Sequence, residues 1–150
     1  MTQPQTLTGQ DIAEAQGAVR ALLDTALEPS GYTGIDFVAL RVLSVRGPFA
    51  PPATLHDFLV GQRQLGLTAS AAAELLARLE AAGLATGTSL EDPGPAQVTA
   101  DGAVTHARLS QLVAPVTQRL YADFDPADLA TARRVLMQVI ERADEIRQSL

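Results

Sequence analysis

The chain has 150 residues, 47% of them apolar and 19% charged, enough apolar content to build one domain with its own core and to exclude wholesale disorder. It contains no cysteine, which excludes disulfides, thiolate zinc sites and thiol nucleophiles together. All 11 basic residues are arginine and stand against 10 Asp and 7 Glu for a net charge of −6, so the overall field does not draw the chain to DNA or to an anionic membrane, and any binding to nucleic acid has to come from a local patch.

The opening stretch, Met1 to Asp11, carries neither a basic nor an apolar signal segment. No apolar run approaches the ~18 residues of a membrane span. A soluble, cytoplasmic protein is expected. Thr8-Gly9-Gln10-Asp11 has the form of a capping box. Ile12, Ala15, Val19, Leu22, Leu23 and Ala26 follow at helical spacing until Pro29 and Gly31 stop the helix. Thr33 and Asp36 repeat the capping pattern. The helix after them, with Phe37, Val38, Leu40, Val42, Leu43 and Val45, is apolar on most sides, as a buried helix is, and ends at Gly47-Pro48.

Pro51-Pro52 opens a short third helix with Leu55, Phe58 and Leu59 on one face. A turn runs from Gly61 to Gly66. Thr68 then has the character of an N-cap, Ala72, Leu75, Leu76 and Leu79 recur at i, i+3, i+4 and i+7, and Gly83 marks the stop. Two short helices joined by a tight glycine-containing turn are a helix-turn-helix. Leu84 to Thr88 and Gln97-Val98 read as two short strands around the turn Glu91-Asp92-Pro93-Gly94-Pro95. A hairpin placed there makes a winged helix. From Thr99 the pattern is helical again, with Pro115 expected to kink or break it. Asp125-Pro126 opens the last helix in the preferred way. Its apolar residues Leu129, Ala132, Leu136, Val139, Ala143 and Ile146 alternate by 3 and 4, a heptad seam that calls for a partner.

From about Gly34 onward the order of elements resembles the MarR family of bacterial transcription regulators. The residues that carry the resemblance are Leu67-Thr68-Ala69-Ser70 through Leu75-Leu76-Ala77-Arg78-Leu79-Glu80-Ala81-Ala82-Gly83-Leu84, similar to the family's recognition helix and its lead into the wing. Val98-Thr99-Ala100-Asp101-Gly102 is similar to the segment that leads out of the wing, and Asp125-Pro126-Ala127-Asp128-Leu129 to the start of the last helix. The resemblance implies a mainly α (α+β) fold: a single winged helix-turn-helix domain over 1–150, with dimerisation helices in 1–30 and 100–150 and a DNA-binding lobe over 34–99. It implies a homodimer that binds double-stranded DNA, with the recognition helix in the major groove and the wing beside the minor groove. It also implies release by a small phenolic or anionic ligand bound between the dimer base and the lobe.

On that alignment the DNA-contacting candidates are Arg63, Thr68, Ser70, Ala71, Glu74 and Arg78. Hydroxyls reach phosphate or base edges, an acid accepts from a cytosine amine, and Ala71 meets a thymine methyl. Arg78 has a plain alternative, an ion pair with Glu74 one turn back. The ligand-contacting candidates are Tyr32, Asp36, Phe37 and Arg41, on or beside the second helix. His56, next to Asp57, reads as part of a solvated helix face, and His106 as a surface or pocket residue. No metal, cofactor or catalytic constellation is indicated, and an enzyme is not expected. One feature departs from a strong DNA binder. Between Pro51 and Thr105 stand two cations, Arg63 and Arg78, against six carboxylates, Asp57, Glu74, Glu80, Glu91, Asp92 and Asp101, which leaves −4, and the wing has no arginine. Since affinity for DNA comes largely from neutralised phosphates, this composition supports an alternative: a ligand-binding or protein-interaction module on the same fold, with weak or no DNA binding.

Overall fold

A computed structural model describes residues 5–150. In chain order the elements are α1 (Gly9–Leu27), α2 (Gly34–Arg46), α3 (Pro52–Gly61), α4 (Ala69–Ala81), β1 (Ala85–Thr86), β2 (Gln97–Val98), α5 (Ala100–Tyr121) and α6 (Pro126–Ser149), with 3-10 turns at Glu28–Ser30 and Arg63–Leu65. They form two compact units, one running up to Val116 and one spanning Thr117–Leu150.

The helix starts follow from their caps. The Thr8 hydroxyl accepts from the Asp11 amide at 3.2 Å while the Asp11 carboxylate accepts from the Thr8 amide at 2.9 Å. Thr33 and Asp36 close the same box at the head of α2. In the first unit one core joins Leu27 of α1, Leu40 and Leu43 of α2, Leu55 and Leu59 of α3, Leu75, Leu76 and Leu79 of α4, and Leu109 of α5. The i, i+3, i+4, i+7 pattern of α4 is thus its buried face, flanked by the half-buried Ala71, Ala73 and Glu80, with the other residues exposed.

The hairpin pairs β1 with β2 antiparallel, Ala85 opposite Val98 and Thr86 opposite Gln97. A rung that the sequence reading did not contain adds the link between α2 and α3: Phe49 and Ala96 exchange both backbone hydrogen bonds at 2.9 Å. The strand expected over Leu84 to Thr88 is therefore shorter, because Gly87 turns to φ 68° and leaves the ladder.

The junction from wing to α5 explains the Thr-x-x-Gly spacing. Thr99 accepts from the Gly102 amide at 3.0 Å, capping α5, and its hydroxyl donates to the Gly83 carbonyl at 2.6 Å. Gly102 packs so tightly on β1's approach that a Cβ there would lie 2.0 Å from the Leu84 carbonyl oxygen.

One expectation is narrowed and one is corrected. Pro115, expected to kink or break its helix, does not break it, since α5 is continuous through it. Pro115 and Gln111 are both exposed, so the carbonyl that loses its amide partner is left to water. The boundary between the two units follows one residue later. His56 is not on a solvated face. It is 7% exposed, and its Nε2–H donates to the Thr88 carbonyl at 2.6 Å.

In the second unit α6 is capped by Asp125, whose carboxylate accepts from the Ala127 amide at 2.8 Å. No residue of α6 is buried. Among the described residues no helix is long and apolar enough to cross a membrane.

Candidate nucleic-acid interface and ligand sites

The turn at Arg63–Leu65 and the Thr68 cap aim α4. The Thr68 hydroxyl accepts from the Ala71 amide at 3.0 Å, which fixes the start of the helix. With Ala72, Leu75, Leu76 and Leu79 turned inward, Thr68, Ser70, Glu74 and Arg78 are exposed along one side, together with Arg63 in the turn. Ala71 is half-buried. Ser70, Glu74 and Arg78 follow at intervals of four, one stripe of a helix. All six DNA candidates are therefore gathered in one stretch of turn and helix.

Arg78 does not pair with Glu74. Its guanidinium donates to the Asp36 carboxylate on α2 at 3.3 Å. Asp36 is buried and already accepts from the Thr33 amide at 2.9 Å. This carboxylate thus caps α2 and ties it to the recognition helix. The Arg78 end of the pair is mostly in solvent, so the ion pair itself is worth little and its geometry matters more.

The wing tip, Ser89 to Pro93, is exposed and has no cation. A further cation lies outside the stretch counted in the sequence. Arg46 ends α2 three residues before the Phe49 rung, and its guanidinium lies 5.0 Å over the Phe58 ring. The Phe49 pairing, invisible to local patterning, is what brings that segment to the wing.

The ligand candidates separate into two groups. Asp36 is committed to its cap and to Arg78. Phe37 stacks on His106 of α5, with ring centroids 5.5 Å apart and planes at 22°. Burial, and then the nearby Arg41 guanidinium, lower the His106 pKa from its ordinary value. The Phe37 and His106 rings and the exposed Arg41 thus form an aromatic and cationic cluster, with Tyr32 half-buried at the head of the helix. His106 belongs to it by tertiary contact that spacing alone does not reveal. A separate groove of about 190 Å³ lies between α1, α2 and the helix-turn-helix turn. Val19, Leu23, Ile35, Val38 and Leu65 make it apolar, Gln16, Arg20 and Gln64 edge it, and none of the four candidates from the sequence lines it. Arg20 crosses from α1 to donate to the Gln64 carbonyl at 3.3 Å, a direct tie to the turn that precedes the recognition helix. Among the described residues no three His, Asp or Glu side chains gather as a metal site would need.

No protein-family model and no curated protein sequence matches the chain, whereas solved structures do. The MarR family protein Rv2887 of Mycobacterium tuberculosis, in complex with DNA, is 28% identical over 89% of this chain and 98% of its own, with a TM-score of 0.65. The same protein with salicylic acid is 26% identical over the same shares, with a TM-score of 0.63. Wild-type MarR from E. coli in its apo form is 21% identical over 91% of this chain and 98% of its own, with a TM-score of 0.68. The E. coli likeness is one of fold. The Rv2887 likeness joins fold to sequence over nearly the whole of both chains, with the recognition helix, wing and Thr99-x-x-Gly102 junction in family order. In fold the chain is similar to the winged-helix proteins of the MarR family, and to Rv2887 in sequence as well.

Proposed function

We propose that the protein is a cytoplasmic, homodimeric transcription regulator that binds double-stranded DNA sequence-specifically and answers to a small ligand. The observation that carries this reading is the face of α4. It has an apolar side locked in the core and a polar side, Thr68, Ser70, Glu74 and Arg78, left open with Arg63 beside it. That is what a helix reading base edges in a major groove requires. A related protein has been solved with DNA, which supports the reading. In this proposal residues 34–99 make the DNA-binding lobe, and 1–30 and 100–150 contribute the dimerisation helices. Ser70→Ala is expected to weaken binding to a preferred duplex by about tenfold, the worth of one good base-edge contact, while leaving random duplex unchanged. Mobility shift on the two duplexes checks it. Equal losses on both would place Ser70 on the phosphates.

For the ligand, the cluster of Phe37, Arg41 and His106, with Tyr32 at the head of α2 as a further candidate, offers rings to stack on and a guanidinium to meet a phenolic or carboxylate group. Rv2887 has been solved with salicylic acid, a molecule of that chemistry. The α1–α2 groove has a specific claim of its own, because the Arg20 contact with Gln64 gives its occupant a route to the turn. Salicylate added to the protein–DNA complex separates them. If the cluster is the effector site, Arg41→Ala abolishes release and Arg20→Ala does not; if the groove is, the pattern reverses.

The second reading, a module of the same fold with little DNA affinity, is favoured by the −4 balance over Pro51 to Thr105 and the cation-free wing. Absence of a shifted band on DNA upstream of the gene, even at low salt, would select it.

A further inference from the structure

We propose that His56 and Glu80 are positioning residues that clamp the wing against the recognition helix, so that the wing's contact with DNA depends on their joint hold on Thr88. This rests on the DNA-binding reading given above.

Thr88 stands at the head of an otherwise exposed loop, yet it is only 2% exposed itself. Both of its backbone groups are taken by side chains. Its carbonyl accepts from His56 Nε2–H of α3 at 2.6 Å, and its amide donates to the Glu80 carboxylate of α4 at 3.3 Å. The two helices of the helix-turn-helix therefore each hold the same residue of the wing. The strands alone hold it weakly, because the β1–β2 ladder has just two pairs, Ala85 with Val98 and Thr86 with Gln97, and a hairpin that short is marginal by itself. The ladder cannot extend outward. Gly87 sits at φ 68°, and a Cβ there would lie 2.3 Å from the Pro95 carbonyl oxygen. The returning arm has the Phe49–Ala96 rung to fix it. The outgoing arm has the clamp on Thr88 in its place.

The charge pattern makes placement matter more here than in a basic wing. From Gly87 to Ala96 there is no arginine, lysine or histidine. What the wing offers a minor groove is its backbone amides and its shape. Such contacts act over hydrogen-bond distance and fail when the loop drifts, whereas a flexible cation tolerates drift.

Hydrogen exchange and hydroxyl-radical footprinting test the clamp on the full chain. In His56→Leu, exchange of the amides in 87–96 should rise on the order of tenfold, the loss of one hydrogen bond to a buried group, with α1 and α2 unchanged. On DNA, protection at the outer minor-groove edges of the footprint should disappear while the central major-groove protection stays. His56→Gln, which keeps an N–H donor, should restore part of both. If His56→Leu fails to fold, Glu80→Ala tests the same clamp from the other helix. Unchanged exchange in 87–96 would overturn the proposal. So would raised exchange with intact edge protection, which would leave His56 and Glu80 a purely structural role. A native protein that protects no duplex overturns the DNA-binding reading instead, and the exchange data still decide whether Thr88 is clamped.

Discussion

Replacing Leu136 or Val139 by Asp is expected to turn a dimer into a monomer of 15.8 kDa. The cause lies in α6, 24 residues long with none buried. Leu136 and Val139 are each 39% exposed, Ile140 48% and Ile146 51%. These residues belong to or flank a seam that alternates by 3 and 4, and Val135, Val139, Ala143 and Ile146 line a groove of about 420 Å³ along the helix. Left in water, such a stripe forfeits about 25 cal/mol for every Å² of apolar surface. In the proposed homodimer a second copy covers it with the same stripe, and knobs from one helix fill the holes of the other. A carboxylate placed in that seam is buried unpaired, and twofold symmetry makes it occur twice. Light scattering at micromolar concentration distinguishes the outcomes. A native protein that is already monomeric would remove the need for a partner and this explanation of the seam.

Gly102→Ala is expected to lower the melting temperature by about 10 °C. The added methyl would sit 2.0 Å from the Leu84 carbonyl oxygen and 2.6 Å from a Val98 methyl. The first of these is backbone and cannot rotate away. Overpacking of this kind costs ~1–3 kcal/mol, and a contact with fixed backbone belongs at the upper end. In a domain of this size each kcal/mol is worth roughly 3–4 °C. Gly61→Ala supplies the opposite sign. It ends α3, and a Cβ there meets nothing within 4 Å, so alanine's better helix propensity should add a few tenths to about 1 kcal/mol. Thermal melts of the two variants decide the matter. A Gly102→Ala protein that melts with the native one would mean that α5 and β1 are not packed as described.

These examples also show which features a sequence displays. Caps are local, so Thr8 and Thr33 are legible from the acid three residues on, Asp125 from the proline after it and Thr68 from the helical pattern that follows, and each starts its helix as expected. The inward face of α4 was legible for the same reason, because its period is that of the helix itself. The Thr99-x-x-Gly102 spacing was visible as a motif, but its cause is the Leu84 carbonyl across the wing and is seen only in the fold. What failed to show depends on distant pairing. His56 read as solvated because its acceptor, Thr88, lies 32 residues away. Arg78 had an obvious partner in Glu74 at helical spacing, yet Asp36, 42 residues distant and buried at the head of α2, holds it. The Phe49 rung was missed because an isolated bridge of one residue has no alternation to betray it. Of the two candidate sites, the DNA-contacting candidates lie on one turn and helix, so that they share a surface could be read from spacing. The ligand cluster needs α2 and α5 together, and His106 could not be assigned from spacing.

The central claim, that a recognition helix works here with very little positive charge around it, is tested most directly by titrating DNA binding with salt from about 50 to 200 mM. The slope of log K against log salt is about −0.9 for each phosphate neutralised. Arg63 and Arg78 from two subunits supply about four cations, so a preferred duplex should be bound with a slope near −4 or shallower. Affinity for random duplex should be low throughout. Replacing Pro95 and Ala96 by Arg should steepen the slope and tighten binding to every duplex alike. A slope near −8 in the native protein would contradict the account, since cations outside the lobe would then make the contacts and α4 with its wing would not be the surface that meets DNA.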